Sequence, residues 1–220
     1  MAEALDTLQR MWTLFGSDGS GSAAVEMALL RCGLPYQVVR ASTWEPESAQ
    51  DALRAVNPLG QIPTLQMDDG AVMTESAAIL IHLGLRYPNS GLLPRDPIEQ
   101  AQVLRGLVFV AANCYAAIGV IDYPERWQIG GSAADLKALR EGARTRLHQL
   151  WEVFAQQFPV NGLFWGGEEP GALDLLAAVV SRWSGARKHL GHCMPELSPV
   201  FQRIEAHPFL APVFARHWPG

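Results

Sequence analysis

The chain has few of the features that mark secreted, membrane-spanning or nucleic-acid-binding proteins. Its three cysteines, Cys32, Cys114 and Cys193, are far apart and form no C-x-x-C pair, which favours a reducing compartment, the cytosol by default. The longest uncharged run, residues 106–121, is shorter than the roughly 20 residues that span a bilayer and predicts a buried helix. Residues 1–10 have no apolar core and predict no secretory signal. A net charge of −5 argues against nucleic acid as a partner. Together these features predict a cytoplasmic protein with neither a nucleic-acid nor a membrane partner.

The 220 residues, of which 49% are hydrophobic, suffice for one large domain or two small ones, each with a core. The pattern changes at a Pro- and Gly-rich break over residues 87–97. Before the break the elements read β-α-β and then β-β-α, which is the order of a thioredoxin-like fold. After it they read as helices only. The sequence therefore predicts an α/β thioredoxin-like amino-terminal domain, residues 9–90, followed by an all-α carboxyl-terminal domain, residues 95–220.

Local signals place the individual elements. Asp96-Pro97 with Glu99 is a strong helix start, with an Asp cap, a proline at the first position and a Glu at the third. Ser132 opens a second long helix in the same way. The predicted strands cover residues 12–16, 36–39, 64–67 and 71–73. The predicted helices cover residues 23–30, 76–87, 96–121, 132–158, 173–183 and shorter pieces of 189–217.

The most informative stretch is residues 57–65, N-P-L-G-Q-I-P-T-L, in which Pro63 stands directly before a short apolar strand. A proline in that position belongs at the start of a strand or in a specially shaped turn, because it cannot donate to the sheet. If the Ile62–Pro63 bond is cis, the N–H and C=O of Ile62 turn outward. They are then free to pair with an extended peptide.

A hairpin and a helix start follow this strand. Asp69-Gly70 predicts a tight turn, and Glu75-Ser76 opens an apolar helix whose first N–H groups have no partner and can hold an anion. Together with Pro63, this segment resembles the glutathione-binding signature of the soluble glutathione S-transferase family. The resemblance covers nearly the whole chain.

The resemblance implies that glutathione binds along this segment as a co-substrate. Ser76, at the helix start, would hold the γ-glutamyl carboxylate, and Glu75 would accept a hydrogen bond from the ammonium group. The main chain of Ile62 would pair with the cysteinyl residue. Plain helix capping is the alternative role of Glu75 and Ser76. The full predicted binding set is Gln61, Ile62, Pro63, Glu75, Ser76 and Trp44, with Arg40 a further candidate for the glycyl carboxylate.

Catalysis by this family requires the thiolate of glutathione, because the thiol is a poor nucleophile. A hydroxyl group that donates a hydrogen bond to sulfur lowers the thiol pKa. The family places such a group where the first strand meets the first helix, and here that window, residues 16–22, contains serines but no Tyr or Cys. The resemblance therefore implies a serine-type enzyme, with Ser20 as the favoured catalytic residue, Ser22 second and Ser17 third. Alternatively, Ser22 caps the helix and the other two are turn residues.

The implied activity is attack by the glutathione thiolate on a hydrophobic electrophile, a detoxification reaction carried out by a homodimer. Two alternatives stay open: a non-catalytic glutathione-binding or interaction module on the same scaffold, and a glutathione-dependent peroxidase or isomerase. Aromatic side chains near the end of the long helix are candidates for a second-substrate pocket, although aromatics at helical spacing are more often core residues. These candidates are Tyr115, Tyr123 and Trp127, together with the non-aromatic Arg126.

Two other motifs compete with this interpretation. Residues 19–24 fit the G-x-G-x-x-A dinucleotide fingerprint, but the second strand ends without the acidic residue that would bind ribose. His189, His192 and Cys193 are residue types that bind metal ions, but no second pair stands near them in the sequence. We therefore expect neither a nicotinamide cofactor nor a metal ion.

One helix start departs from the family pattern. The family usually has Ser or Thr three residues before a buried Asp, forming a capping box, whereas here Gly171 precedes Asp174. Glycine at that position costs only a few tenths of a kcal/mol. We therefore expect the helix to form.

Overall fold

The computed structural model describes residues 11–160 and 162–219, and its first part is built on a four-stranded sheet. The strands are β1 (Trp12–Gly16), β2 (Tyr36–Arg40), β3 (Thr64–Gln66) and β4 (Val72–Thr74). They lie in the order β2-β1-β3-β4, with β1 parallel to β2 and the other two pairs antiparallel. This mixed sheet confirms the predicted thioredoxin-like topology. Of the predicted domain limits, residues 9, 10 and 220 lie outside the described residues.

Three helices cover the two faces of the sheet: α1 (Ser22–Arg31), α2 (Gln50–Val56) and α3 (Ser76–Arg86). Successive side chains of β1 point to opposite faces. Leu14 packs in the main core with residues of α1 and α3, whereas Phe15 packs with Ala41 and Leu53 in a smaller cluster on the side of α2. This division of β1 gives the sheet a helix layer on each face.

The start of α1 differs from one expectation. The helix begins at Ser22 itself, after Gly21, which has no side chain to cap it, and the Ser22 amide donates to the Ser20 hydroxyl at 3.2 Å. The suggestion that Ser22 caps this helix is therefore wrong, and its hydroxyl group has other partners in the preceding loop.

After residue 96 the regular elements of the described chain are helices. Asp96 Oδ1 accepts hydrogen bonds from the Ile98 and Glu99 amides, both at 3.0 Å, and the Ser132 hydroxyl accepts one from the Asp135 amide at 3.2 Å. Both predicted helix starts are confirmed. The helices are α4 (Pro97–Asp122), α5 (Ala133–Gln157), α6 (Ala172–Val180), α7 (Ala186–Cys193), α8 (Leu197–Ala206) and α9 (Ala211–His217).

Helix α4 contains a π-helical stretch, Val110–Tyr115, between two α-helical parts. Such a stretch rotates the side chains that follow it and is frequent at functional sites. With 26 residues, α4 is long and apolar enough to cross a membrane by length and composition alone. The sequence did not indicate this, because its uncharged run of residues 106–121 covers only part of the helix. Core helices of globular proteins meet the same criterion, and here Leu107, Val110 and Cys114 are buried in the main core.

Helix α6 is the centre of the molecule, because every one of its residues is buried and it packs against both α1 and α3. Its buried Asp174 accepts hydrogen bonds from the amides of Trp165 (2.9 Å), Gly166 (2.8 Å) and Gly171 (2.9 Å). Burial raises the pKa of Asp174 to about 6, against the effect of these amides. A Cβ at Gly171 would lie 3.1 Å from the carbonyl oxygen of Leu92. Close packing against the main chain of residues 91–92 therefore favours glycine at the cap position.

Candidate functional site

The register of the sheet brings the predicted site segments to one edge. Phe15, at the end of β1, lies opposite Thr64, at the start of β3, and Thr64 also lies opposite Thr74, at the end of β4. The loop after β1, the turn before β3 and the start of α3 therefore all emerge at the same edge. These are residues 17–21, 61–63 and 75–76.

The turn before β3 presents an unpaired piece of main chain. The Ile62–Pro63 bond is cis, as the sequence suggested. Within residues 11–160 and 162–219, no hydrogen bond is made to the amide or carbonyl group of Ile62. The buried Asn57 fixes the turn from behind, donating to the Gln61 carbonyl (3.1 Å) and the Thr64 hydroxyl (2.9 Å). Ile62 is thus held in place with both of its main-chain groups available.

Glu75 and Ser76 stand where β4 passes into α3. Glu75 has a φ of 64°, a left-handed conformation that is costly for a residue other than glycine, by about 1–3 kcal/mol, and that occurs mostly at ligand sites. The Glu75 side chain is exposed, whereas Ser76 is buried as the first residue of α3. In the described part of the chain no hydrogen bond is made to the Ser76 hydroxyl. The helix start therefore offers a hydroxyl group and free amides next to a carboxylate.

The three loop serines form a closed hydrogen-bond network. The hydroxyls of Ser20 and Ser22 are both buried and lie 2.7 Å from each other. Each also approaches the Ser17 carbonyl, at 2.7 Å from Ser20 and 3.2 Å from Ser22. Two hydroxyl protons thus meet two acceptors inside the loop, the Ser17 carbonyl and one of the two hydroxyl oxygens. Neither Ser20 nor Ser22 has a proton to spare for an outside sulfur unless one of these bonds is exchanged.

The last helix anchors this loop, a link that the sequence did not reveal. The Gly19 amide donates to His217 Nδ1 at 3.2 Å, so the other ring nitrogen carries the proton and donates to Glu26 at 3.0 Å. Burial alone would raise the pKa of Glu26, but hydrogen bonds from His217 and Tyr36 and the charge of Arg216 hold it below its ordinary value. Helix α9 therefore fixes the loop through an ionised, buried carboxylate on α1.

Tyr115, the last residue of the π-helical stretch in α4, reaches the same loop. A methyl group on Gly21 would overlap its hydroxyl group, and its ring packs edge-on against Trp183 with centroids 5.5 Å apart. Burial, with smaller contributions from the charges of Asp122 and Glu75, raises the pKa of Tyr115 above its ordinary value, so the phenol keeps its proton at neutral pH. This hydroxyl makes no hydrogen bond within the described residues, and it is not fully enclosed by protein atoms. It is a free donor beside the start of α1.

The other predicted pocket residues lie further along the chain and make separate contacts. The guanidinium of Arg126 lies over the ring of Tyr123, 3.9 Å from its centroid, and Trp127 is exposed. Among the described residues no hydrogen bond or aromatic contact joins these three to Tyr115. Their role in a second-substrate pocket stays a prediction.

The candidates for the glycyl carboxylate differ in whether their side chains are already paired. Arg40 is paired with Glu45, at 2.7 and 2.9 Å, and with Asp18, at 3.2 Å. The hydrogen bonds from Arg40 are the main cause that lowers the pKa of Glu45 to about 2. Gln61 and Trp44 have exposed side chains. The geometry thus favours Gln61 and Trp44 over Arg40, because the guanidinium of Arg40 is already paired with two carboxylates.

Comparison with known proteins identifies the domain that carries the candidate site. Residues 22–85, which contain the free turn, the hairpin and the start of α3, match the family described as glutathione S-transferase, N-terminal domain. This part of the chain is a glutathione S-transferase N-terminal domain. The match coincides with the thioredoxin-like part, so the family signature and the edge geometry concern the same residues.

Two curated relatives support the same family. The chain is 37% identical over 118 residues to the uncharacterized GST-like protein YncG of Escherichia coli K12, covering 53% of this chain and 57% of that protein. It is 36% identical over 95 residues to a maleylacetoacetate isomerase of Pseudomonas aeruginosa, covering 42% of this chain and 44% of that protein. The matched part therefore spans only about half the length of these two relatives.

A solved glutathione S-transferase structure extends the likeness over the helical part. A glutathione transferase homologue from Sulfitobacter, solved with bound glutathione, has a TM-score of 0.78 at 24% identity, covering 93% of this chain and 97% of that one. At this identity the likeness shows the fold alone. It confirms the predicted succession of a thioredoxin-like part and a helical part.

Proposed function

We propose that the chain binds glutathione and activates its thiol group for attack on an electrophilic small molecule. The observation that carries the proposal is the free main chain of Ile62, which lies at the same sheet edge as the open start of α3 at Ser76. A short extended peptide pairs with exposed main chain, and a carboxylate at its end suits a helix start. Glutathione combines these two features.

The γ-glutamyl end would bind between Glu75 and Ser76. The Ser76 hydroxyl and the first amides of α3 would donate to the carboxylate, and Glu75 would accept from the ammonium group. The strained backbone of Glu75 supports this assignment, because such strain is retained mostly where a ligand needs it. Gln61 or Trp44 would contact the glycyl carboxylate at the other end.

The cysteinyl side chain would point from Ile62 toward the loop after β1. Tyr115 offers the free hydroxyl there, next to Gly21, and we propose it as the donor that stabilises the thiolate. Ser20 is the alternative donor, as the sequence suggested, provided that its bond to the Ser17 carbonyl is exchanged for one to sulfur. Tyr123, Arg126 and Trp127 would then line the space for the electrophile.

A glutathione-binding module without catalysis is the second candidate. The observation that favours it is the closed network of Ser20 and Ser22, which uses both hydroxyl protons inside the loop. A cytosolic location and a homodimeric state belong to the main proposal and are typical of the family. Size-exclusion chromatography with light scattering tests the dimer directly.

Replacing Ser76 with alanine tests the binding site. We expect the change to remove a charge-assisted hydrogen bond worth about 1.5–3 kcal/mol, which corresponds to a Kd for glutathione raised about 10- to 100-fold. Isothermal titration calorimetry with reduced glutathione measures the effect.

The matched control is Ser198→Ala, a serine on α8, which should leave the Kd unchanged. An unaltered Kd for Ser76→Ala would remove this helix start from the site. Turnover with a generic aryl halide separates the two functions: turnover by the wild-type protein supports the transferase, and tight binding without turnover supports the binding module.

A further inference from the structure

Helices α5 and α7 carry a cluster of metal-binding side chains far from the sheet edge. Glu152 on α5 faces His189 and Cys193 on α7, and the two helices pack against each other. A carboxylate oxygen, a ring nitrogen and the thiol sulfur of these three residues all lie within 4.8 Å of one another. Two of the three stand four residues apart on one helix, which places them on the same face. The sequence showed no second pair of metal-binding residues near His189 and Cys193, and the structure supplies one further residue, Glu152.

We propose that Glu152, His189 and Cys193 form a binding site for a late first-row divalent metal ion, of which zinc is the expected occupant. Imidazole nitrogen and thiolate sulfur prefer such ions to magnesium or calcium, which take oxygen ligands. Three protein ligands leave a fourth position open to water or to a small ligand. The site is thus of the open kind.

The distances need only a small adjustment. A tetrahedral zinc ion about 2.0–2.3 Å from each ligand atom holds the ligand atoms about 3.3–3.8 Å apart. His189 Nε2 and Glu152 Oε1 now share a hydrogen bond at 2.7 Å, so the ion would replace the shared proton and move these two atoms apart by less than about 1 Å. Cys193 is exposed on the last turn of α7 and can follow by rotating its side chain.

The surroundings hold His189 in place and tolerate the ion. The ring of His148 stacks on that of His189 at 4.4 Å, while His148 itself bonds to the Ser184 carbonyl at 3.1 Å. Arg144 and Lys188 line a surface cavity of about 550 Å³ that His189 also borders. A divalent ion bound by one carboxylate, one thiolate and a neutral imidazole has no net charge, so these two cations do not oppose it.

The test uses the full chain after treatment with a chelator. Cobalt(II) titration should give a thiolate-to-cobalt charge-transfer absorption that saturates at one ion per chain, and calorimetry with zinc should give the same stoichiometry. Removing an outer partner of a metal site usually weakens binding about 10- to 100-fold, so Cys193→Ser and His189→Gln should each weaken zinc binding by at least about 100-fold. Cys193→Ser should also abolish the charge-transfer absorption.

Two controls distinguish this site from adventitious binding. His192→Gln removes a neighbouring histidine on the same helix whose ring bonds to the Lys188 carbonyl, and Cys32→Ser removes a cysteine of the thioredoxin-like part. Both should keep the wild-type affinity and spectrum. Circular dichroism and the metal-free Tm check that each variant is folded. No cobalt–thiolate absorption in the wild-type protein, unchanged affinity in Cys193→Ser, or an equal loss in His192→Gln would each overturn the proposal.

Discussion

Asp174→Ala is expected to lower the free energy of unfolding by about 3–5 kcal/mol, because it removes a fully buried carboxylate that is the partner of three amides, one of them buried and two part-buried. These are the amides of Trp165, Gly166 and Gly171, all bonded to one carboxylate at the start of α6. That helix is buried along its whole length and packs against both α1 and α3. Its start therefore matters to both parts of the fold. Equilibrium unfolding in urea measures the loss.

Asp135→Ala is the matched control for this effect. Asp135 occupies the same position in α5, accepting a hydrogen bond from the Ser132 amide at 2.9 Å, but it is exposed. Water replaces the lost partner there, so the expected cost is about 1 kcal/mol or less. Equal losses for the two variants would contradict the view that burial makes the difference.

Tyr115→Phe is expected to raise the pKa of the bound glutathione thiol by about two units, which corresponds to about 2.7 kcal/mol of thiolate stabilisation. At neutral pH this lowers kcat/KM for an aryl halide by about 100-fold. The glutathione Kd should change little, because the phenol acts on sulfur and not on the peptide. Ultraviolet absorbance of the bound thiolate, recorded against pH, measures the pKa directly.

The same measurement on Ser20→Ala and Ser22→Ala identifies the donor. If Tyr115 stabilises the thiolate, the serine variants should keep a thiol pKa near the wild-type value. A large rise in Ser20→Ala with none in Tyr115→Phe would assign the role to Ser20, as the sequence suggested. Tyr87→Phe is the control, since the Tyr87 ring packs on Trp12, away from the loop, with centroids 6.5 Å apart.

The sequence predicted those parts of the fold that depend on neighbouring residues. The cis bond before Pro63, the Asp69-Gly70 hairpin and the capped starts at Asp96 and Ser132 are each specified by residues within a few positions of one another. Turn and cap chemistry has a sharp signature because one or two side chains determine the backbone conformation. The order of strands and helices followed from these signals.

The parts that the sequence missed depend on contacts between distant residues. The hydrogen bond from Gly19 to His217 joins positions 198 residues apart. The approach of Tyr115 to Gly21 depends on the π-helical stretch in α4, for which the local pattern gave no signal. The serine network depends on side-chain rotamers, and residue type alone showed three hydroxyl groups without showing that all three are already engaged, that of Ser17 with Glu45. Glu152 lies beside His189 and Cys193 only because α5 packs against α7, which the sequence did not show.

The contact between α9 and the loop after β1 has a practical consequence for the design of altered forms of this polypeptide. His217 of α9 accepts a hydrogen bond from the Gly19 amide and donates one to buried Glu26. A deletion that removes α9, or a bulky group attached beside it, would disturb the segment next to the proposed sulfur position. Binding constants measured on such an altered polypeptide would therefore report the alteration and not the protein.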